Sequence, residues 1–196
     1  AFKDHLKDNI HHLKEIRGAK TVSNIYFRLS NDDDIGRNIF FGNHVGCCNS
    51  VDSTYAGYSA PMHLLNNFNR GIELVDRYGN SYGNSMCFFA DVDGKLAFII
   101  DSFEANGKLG SNPLVTDELI KFAHKVCREM GREDAVVLIG PRFNHIDMSR
   151  LQDTMVDSFK ILGTVSEKTY CDCAGGTECK DNINNGCMNV NMKKYV

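Results

Sequence analysis

The stretch from Lys95 to Gly140 constrains the fold more than any other part of the chain. It reads as an apolar strand (Leu96–Phe103), a glycine-bearing loop (Asn106–Pro113), a helix (Thr116–Met130) and a second apolar strand (Ala135–Ile139). A β-loop-α-β unit of this kind joins neighbouring parallel strands of one sheet. Its loop lies between the carboxyl end of a strand and the amino end of a helix, where unpaired backbone N–H groups can meet an anion. Thr116 followed by Asp117 and Glu118 suits a helix start, and Gly131 suits its end.

The segments ahead of this unit predict antiparallel strands. Gly71–Asp76 and Ser85–Asp91 alternate as strands, with turns at Tyr78–Asn80 and Val92–Lys95, the latter carrying the Asp-Gly pair of tight hairpins. Earlier still, Phe2–Ile16 has helical spacing, Val22–Leu29 alternates as a strand, and Ser59–Asn66 reads as a helix. Beyond the unit, Ile146–Leu162 is expected to be partly helical and Thr164–Tyr170 to form a final strand. From Cys171 the composition shifts to Gly, Asn, Cys and Lys without core periodicity. The expectation is therefore one α/β domain over residues 1–170, a mixed sheet in which an antiparallel meander feeds the β-loop-α-β unit, and a C-terminal tail over 171–196.

The net charge of −3 over 196 residues gives no electrostatic grip on nucleic acid or an anionic membrane, and no apolar run reaches membrane-spanning length. We therefore expect neither partner. The chain begins at Ala1 without a Met, which fits either a trimmed chain or a domain of a longer protein. Of its 8 cysteines, Cys87 and Cys127 fall within apolar elements and read as buried thiols, and the chain can form a core without disulfides. A reducing, cytoplasmic setting follows as the expectation.

This order of elements resembles that of the GNAT acyltransferases over Ile72 to Tyr170. Glu73–Ala90 is similar to the family's strand-hairpin-strand pair, and Leu96–Val137 to its central strand, pyrophosphate loop and helix. Ser158-Phe-Lys-Ile-Leu-Gly163 resembles the end of its fourth helix, with Phe159 where Tyr is usual. Phe41–Cys48, taken with Ile99-Ile-Asp-Ser-Phe-Glu104, also resembles a bacterial group of that fold without a known activity. The resemblance implies acetyl-CoA or another acyl-CoA as cofactor and a small-molecule or protein amine as substrate. Pantetheine would lie along Phe103, Glu104 and Ala105. The pyrophosphate would lie on Gly107, Lys108, Leu109, Gly110, Ser111 and Asn112, where Gly107 and Gly110 keep the glycines of the family's loop. Glu104 is the candidate general base, and Asn144 and Tyr170 are candidates for substrate contact or protonation of the leaving thiolate.

Other constellations support other readings. His44 beside Cys47 and Cys48 offers a base and a thiol nucleophile, against a plainer reading as small apolar groups packing a loop. Cys171, Cys173, Cys179 and Cys187 suffice in number for tetrahedral zinc, but their spacing is not that of a paired Cys-x-x-Cys site, and free thiols or disulfides are the alternatives. Asp32-Asp33-Asp34 reads as a solvated turn. The leading expectation is an acyl-CoA-dependent N-acyltransferase. A non-catalytic GNAT-like binding module comes second, and a cysteine-dependent enzyme using Cys47 or Cys48 third.

Overall fold

The computed structural model describes residues 17–20, 24–30, 37, 39–40, 42–43, 50–52, 69–106, 109–140, 146–162 and 187–195. Nine strands of the described residues form one mixed sheet: β1 (Arg17–Lys20), β2 (Ile25–Leu29), β3 (Asn69–Asp76), β4 (Ser81–Val92), β5 (Lys95–Ile100), β6 (Glu104–Ala105), β7 (Val136–Ile139), β8 (Leu151–Ile161) and β9 (Cys187–Tyr195). Strands β1 to β5 pair antiparallel in chain order, which is the expected meander β3–β5 extended on its amino side by the expected strand β2 and by β1. Strand β5 then pairs parallel with β7, from Ala97–Val136 to Ile100–Ile139. The helix α1 (Pro113–Glu129) carries the chain between them, so the β-loop-α-β unit has the predicted connectivity.

Both hairpin turns form for identifiable reasons. At the first, the Asp76 carboxylate accepts from the Tyr78 and Asn80 amides at 2.8 and 3.0 Å, and Gly79 takes φ +86°. At the second, Asp93 and Gly94 have φ of +51° and +76°, the double positive φ that lets a two-residue loop follow the twist of its strands. Asp93 also ties the hairpin tip to β8. Its carboxylate accepts from the Ser158 amide at 2.7 Å, and its own amide donates to the Ser158 carbonyl at 3.2 Å.

The helix begins earlier than its acidic residues suggest. Asn112 caps it, its side-chain oxygen accepting from the Leu114 amide at 3.0 Å, and Pro113 occupies the first turn. Thr116 lies buried inside the helix and accepts from the Asp147 amide at 2.8 Å. Gly131, with φ +65°, ends the helix as expected.

The last third of the chain departs from expectation more strongly. Ile146–Leu162 is not a helix: after a single 3-10 turn at Met148–Arg150, Leu151–Ile161 is strand β8. Ser158–Leu162, which resembles a helix end in the GNAT pattern, therefore lies on this strand and just past it, with Phe159 opposite Val92 and Ile161 opposite Ala90. Cys187–Tyr195, in a stretch whose composition predicts no element, is strand β9 and pairs along the length of β8. Period-2 burial at Val156, Phe159 and Ile161 is imperfect, which explains why β8 can be misread as helical spacing. The predicted helices at 2–16 and 59–66 and the strand at 164–170 lie outside the described residues.

Two cores result, one on each face of the sheet. Helix α1 lays Val115, Leu119, Phe122 and Val126 over Phe27, Leu74, Phe89 and Phe98. Phe27 stacks near Phe122 at 6.0 Å between ring centroids and meets the edge of Phe103 at 5.7 Å. On the other face, β8 returns to pair with the end of β4 while β9 bridges β8 to β7. Strands β4, β5, β7, β9 and β8 thus close into a ring whose interior holds Phe88, Ala90, Ile99, Leu138, Phe159 and Met192. Among the described residues no helix is long and apolar enough to cross a membrane.

Between β5 and β6 the ladder with β4 carries one residue too many. Ile100 faces Cys87 and Glu104 faces Asn84, so Asp101, Ser102 and Phe103 stand against only Ser85 and Met86. This bulge exchanges the faces, placing Ala105 opposite Gly83 on the α1 side and Glu104 on the other. Gly83 has no room for a side chain, since a Cβ there would lie 2.7 Å from Phe103 Cζ and 2.9 Å from the Glu104 carbonyl oxygen. Gly83→Ala is therefore expected to cost about 1–3 kcal/mol as an overpacked site. A lower urea midpoint at constant slope would register this, and an unchanged midpoint would show that the bulge yields freely.

Candidate functional site

The face opposite α1 carries a polar row beyond the closed ring. Register alone sets it: Arg28 on β2 faces Glu73 on β3, Glu73 faces Asn84 on β4, and Asn84 faces Glu104 on β6. Directly opposed residues share a face of the sheet, so four strands contribute one polar side chain each to a single line. Glu73 is fully buried, Asn84 is buried, and Glu104 is half-buried.

Two guanidinium groups hold Glu73. Arg28 donates from Nε and Nη2 to Oε2 at 2.9 and 2.5 Å, and Arg37 donates from Nε to both carboxylate oxygens at 3.0 Å. Arg37 also donates to the Gly79 carbonyl at 2.6 Å, which ties the group to the β3–β4 turn. A buried carboxylate with paired forks of this kind is rigid, because each partner has a fixed donor geometry. The arrangement fixes the backbone beneath Asn84 and Glu104 and gives the half-buried Glu104 a polar neighbourhood.

Near Glu104 the parallel pairing ends. The last contact between β5 and β7 is the Gly140 amide donating to the Ile100 carbonyl at 2.8 Å. Past it, the chain from β5 continues through the bulge into β6 alongside β4, and Gly140 is the last described residue after β7 on that side. The pairing of the two parallel strands thus ends next to the bulge, and the carboxyl ends of parallel strands are a recurrent position for ligand sites. Chemically, the site offers a carboxylate able to take a proton, an amide beside it, and backbone at the end of the parallel pairing.

Of the residues expected to hold acyl-CoA, Phe103 is wholly buried in the α1-side core, Ala105 is buried opposite Gly83, and Glu104 lies on the polar row. At the helix start, the expectation of free N–H groups needs correction. Pro113 has no donor, Leu114 donates to the Asn112 side chain, and the Val115 and Thr116 amides donate to the Asn112 carbonyl at 2.9 and 3.3 Å. The amides of Asn112 and Leu109 donate to the carbonyls of Leu109 and Asn106. The capping that makes this a well-formed helix start uses the donors an anion would need. Gly110 and Ser111 lie in the turn before it, while Gly107 and Lys108 lie outside the described residues.

Asn144, Tyr170, His44, Cys47, Cys48, Cys171, Cys173 and Cys179 also lie outside the described residues, as does the side chain of Cys187. Among the described residues no group of three or more His, Cys, Asp or Glu is placed to hold a metal ion. Cys87 and Cys127 are free buried thiols, as read from the sequence. Burial raises both pKa values, that of Cys127 to about 12.

Arg28, Arg37, Glu73 and Asn84 were not singled out by sequence reasoning. The signal that was present is a lone carboxylate inside the apolar strand Asn69–Asp76, at the same alternation phase as Arg28 across the sheet.

No protein-family model matches the chain, and no curated protein matches it. Among solved structures, a fungal multi-domain GH3 β-N-acetylglucosaminidase containing a GCN5-related glucosamine N-acetyltransferase region is similar at 18% identity with a TM-score of 0.40. The likeness covers 62% of this chain and 15% of that one, so the chain spans a small part of that enzyme's length.

Two outcomes follow. Glu73→Ala leaves two guanidinium groups without their carboxylate and should cost about 3–5 kcal/mol. Removing Lys121 from its exposed pair with Glu118 should change stability by less than about 0.5 kcal/mol. Chemical denaturation of both variants tests the contrast, and equal effects would refute the anchoring role of Glu73. Cys87 and Cys127 should resist alkylation in the native protein at pH 8 and react once it is unfolded, as peptide mapping by mass spectrometry would reveal. Rapid native labelling at either position would contradict their placement.

Proposed function

We propose that the chain is an acyl-CoA-dependent N-acyltransferase of GNAT-like fold that acts on an amine. The observation that carries this reading is the end of the parallel pairing at Ile100 and Gly140 next to a bulge that turns Glu104 onto the polar face. The end of the parallel pairing suits an extended pantetheine arm along Phe103–Ala105. The altered helix start leaves the pyrophosphate to Gly107, Gly110, Ser111 and the charge of Lys108.

When bound, the thioester supplies an acyl carbon for attack by the amine nitrogen. Glu104 takes the proton released from that nitrogen, directly or through a water. Backbone amides past the end of β5 hold the thioester carbonyl. Tyr170 returns a proton to the departing thiolate, and Asn144 contacts the substrate. The Arg28–Glu73–Arg37 group keeps the strand beneath Glu104 from shifting.

A second reading has its own observation. The amides at the start of α1 are already engaged by Asn112, which favours a GNAT-like binding module that has given up the cofactor.

A thermal shift with acetyl-CoA separates the two. A ligand at about 100 times its dissociation constant adds roughly 2.7 kcal/mol, several degrees for a domain of this size. The acyltransferase reading expects that shift, its loss in Lys108→Glu, and its retention in Glu104→Gln. With an amine substrate found by screening, Glu104→Gln should lower turnover about 10²–10⁴-fold. No shift at saturating acetyl-CoA would transfer the reading to the binding module.

A further inference from the structure

The closed ring has a second feature, at the end away from Glu104. A cavity of about 190 Å³ opens there beside the β4–β5 hairpin tip, lined by Val92, Ala97, Val136, Leu138 and Val156. These side chains belong to the core inside the ring or pack against it, and Thr154 and the exposed Met155 complete the lining, so the cavity is a half-open end of that core. At its rim stand Asp93, Lys95 and Lys194.

The two lysines occupy inward positions. Lys95 faces Val92 across the hairpin and lies two residues before the buried Ala97 on β5. Lys194 lies two residues after the wholly buried Met192 on β9. With a side-chain period of 2, both project on the face that lines the ring interior. A strand that only needed to close its core would carry apolar residues at these two positions. The one local carboxylate, Asp93, accepts through Oδ1 from the Ser158 amide and, at 3.4 Å, the Ser158 hydroxyl, and its single charge leaves the two lysines in excess at the rim. Among the described residues neither lysine ammonium has an ion-pair or hydrogen-bond partner.

We propose that this ring mouth binds a small amphiphilic anion, a monocarboxylate with an apolar tail of about six carbons, its tail in the cavity and its carboxylate between Lys95 and Lys194. The size sets the class: the space is below the roughly 300–1,000 Å³ of sites for drug-sized ligands. It is of the order of the roughly 150 Å³ apolar cavity that accepts benzene. The charge sets the head group, because an anion between two ammonium groups gains charge-assisted hydrogen bonds that a neutral molecule does not. This site lies at the amino ends of β5 and β7 and does not depend on the acyltransferase reading, whose site lies at their carboxyl ends.

The test is a titration of the methyl-labelled full chain, followed by NMR, with sodium hexanoate and separately with 1-hexanol. Hexanoate should shift the methyl signals of Val92, Val136, Leu138 and Val156 saturably at millimolar concentrations. It should bind about tenfold or more tightly than hexanol. The exposed substitutions Lys95→Gln and Lys194→Gln together should remove that advantage while the amide spectrum keeps its native dispersion. Should the double variant fail to fold, each single variant should lose part of the advantage. Absence of saturable methyl shifts would overturn the cavity as a site. Equal affinity for hexanol, or undiminished hexanoate binding in the lysine variants, would overturn the anion.

Discussion

One extra residue between Ile100 and Glu104 decides how the two faces of this sheet differ. Were the same residues to run as a regular ladder, Glu104 would share the phase of Ile100 and fall among Phe27, Leu74 and Phe122, where an unpaired carboxylate costs several kcal/mol. With the bulge, Ala105 takes the place against Gly83, and Glu104 completes the line begun by Arg28, Glu73 and Asn84. The bulge is held from both sides. The Asp101 amide donates to the Met86 carbonyl at 2.9 Å, and the Phe103 ring fills the volume a Cβ on Gly83 would need. A polar face at this end of the sheet, the packing of α1 on the other side and the register of β6 on β4 all depend on that local count of three residues against two.

The faces also differ in what covers them. An amphipathic helix covers one, as the crossover between parallel strands requires. On the other, β8 folds back over the sheet and uses the same edge of β4 that β3 occupies further along, so β4 has two partners in succession on one side. The Asp93–Ser158 contacts lie at that changeover and tie the hairpin tip to the returning strand. Closure removes an exposed edge from β4 and gives Phe88 and Phe159 a shared interior, their rings 6.1 Å apart and edge-on.

The central unit was legible because its signals agree at several levels. Apolar runs of strand length, an amphipathic stripe from Val115 to Cys127 and an Asp-Gly turn all specify the same arrangement. The bulge was written more faintly: Asp101 and Ser102 interrupt an apolar run, and both are buried, which is a costly place for polar groups unless the backbone turns there. The cap was misplaced because acidic residues at 117 and 118 suggested a first turn, while Asn112-Pro113 supplied the actual cap and first helical residue. The row Arg28–Glu73–Asn84–Glu104 could not be read from the chain alone, since it depends on the register of three strand pairs. Strand β9 was hidden because its partner β8 is remote in sequence. Long-range pairing rather than local composition makes a strand of Cys187–Tyr195.

The short parallel pair β5–β7 connects these features and gives its two ends different chemistry. With four residues in register and about 3.3 Å per residue, its ends lie on the order of 10 Å apart. At the carboxyl end, the Gly140–Ile100 hydrogen bond is the last described bridge of the pair, and the neighbouring face is polar. At the amino end, Ala97 and Val136 are small enough to leave the ring interior unfilled, and Lys95 stands where an apolar side chain would have closed it. Between the ends, Ile99 and Leu138 pack inside the ring while Ile100 and Ile139 pack beneath α1. A displacement of β7 relative to β5 at either end must therefore disturb both cores, and dense packing resists such gradual shifts. The pair behaves as a rigid spacer. Occupation of one end is then expected to leave affinity at the other unchanged, unless ligands bias a second packing of β7, in which case the coupling would be equal in both directions.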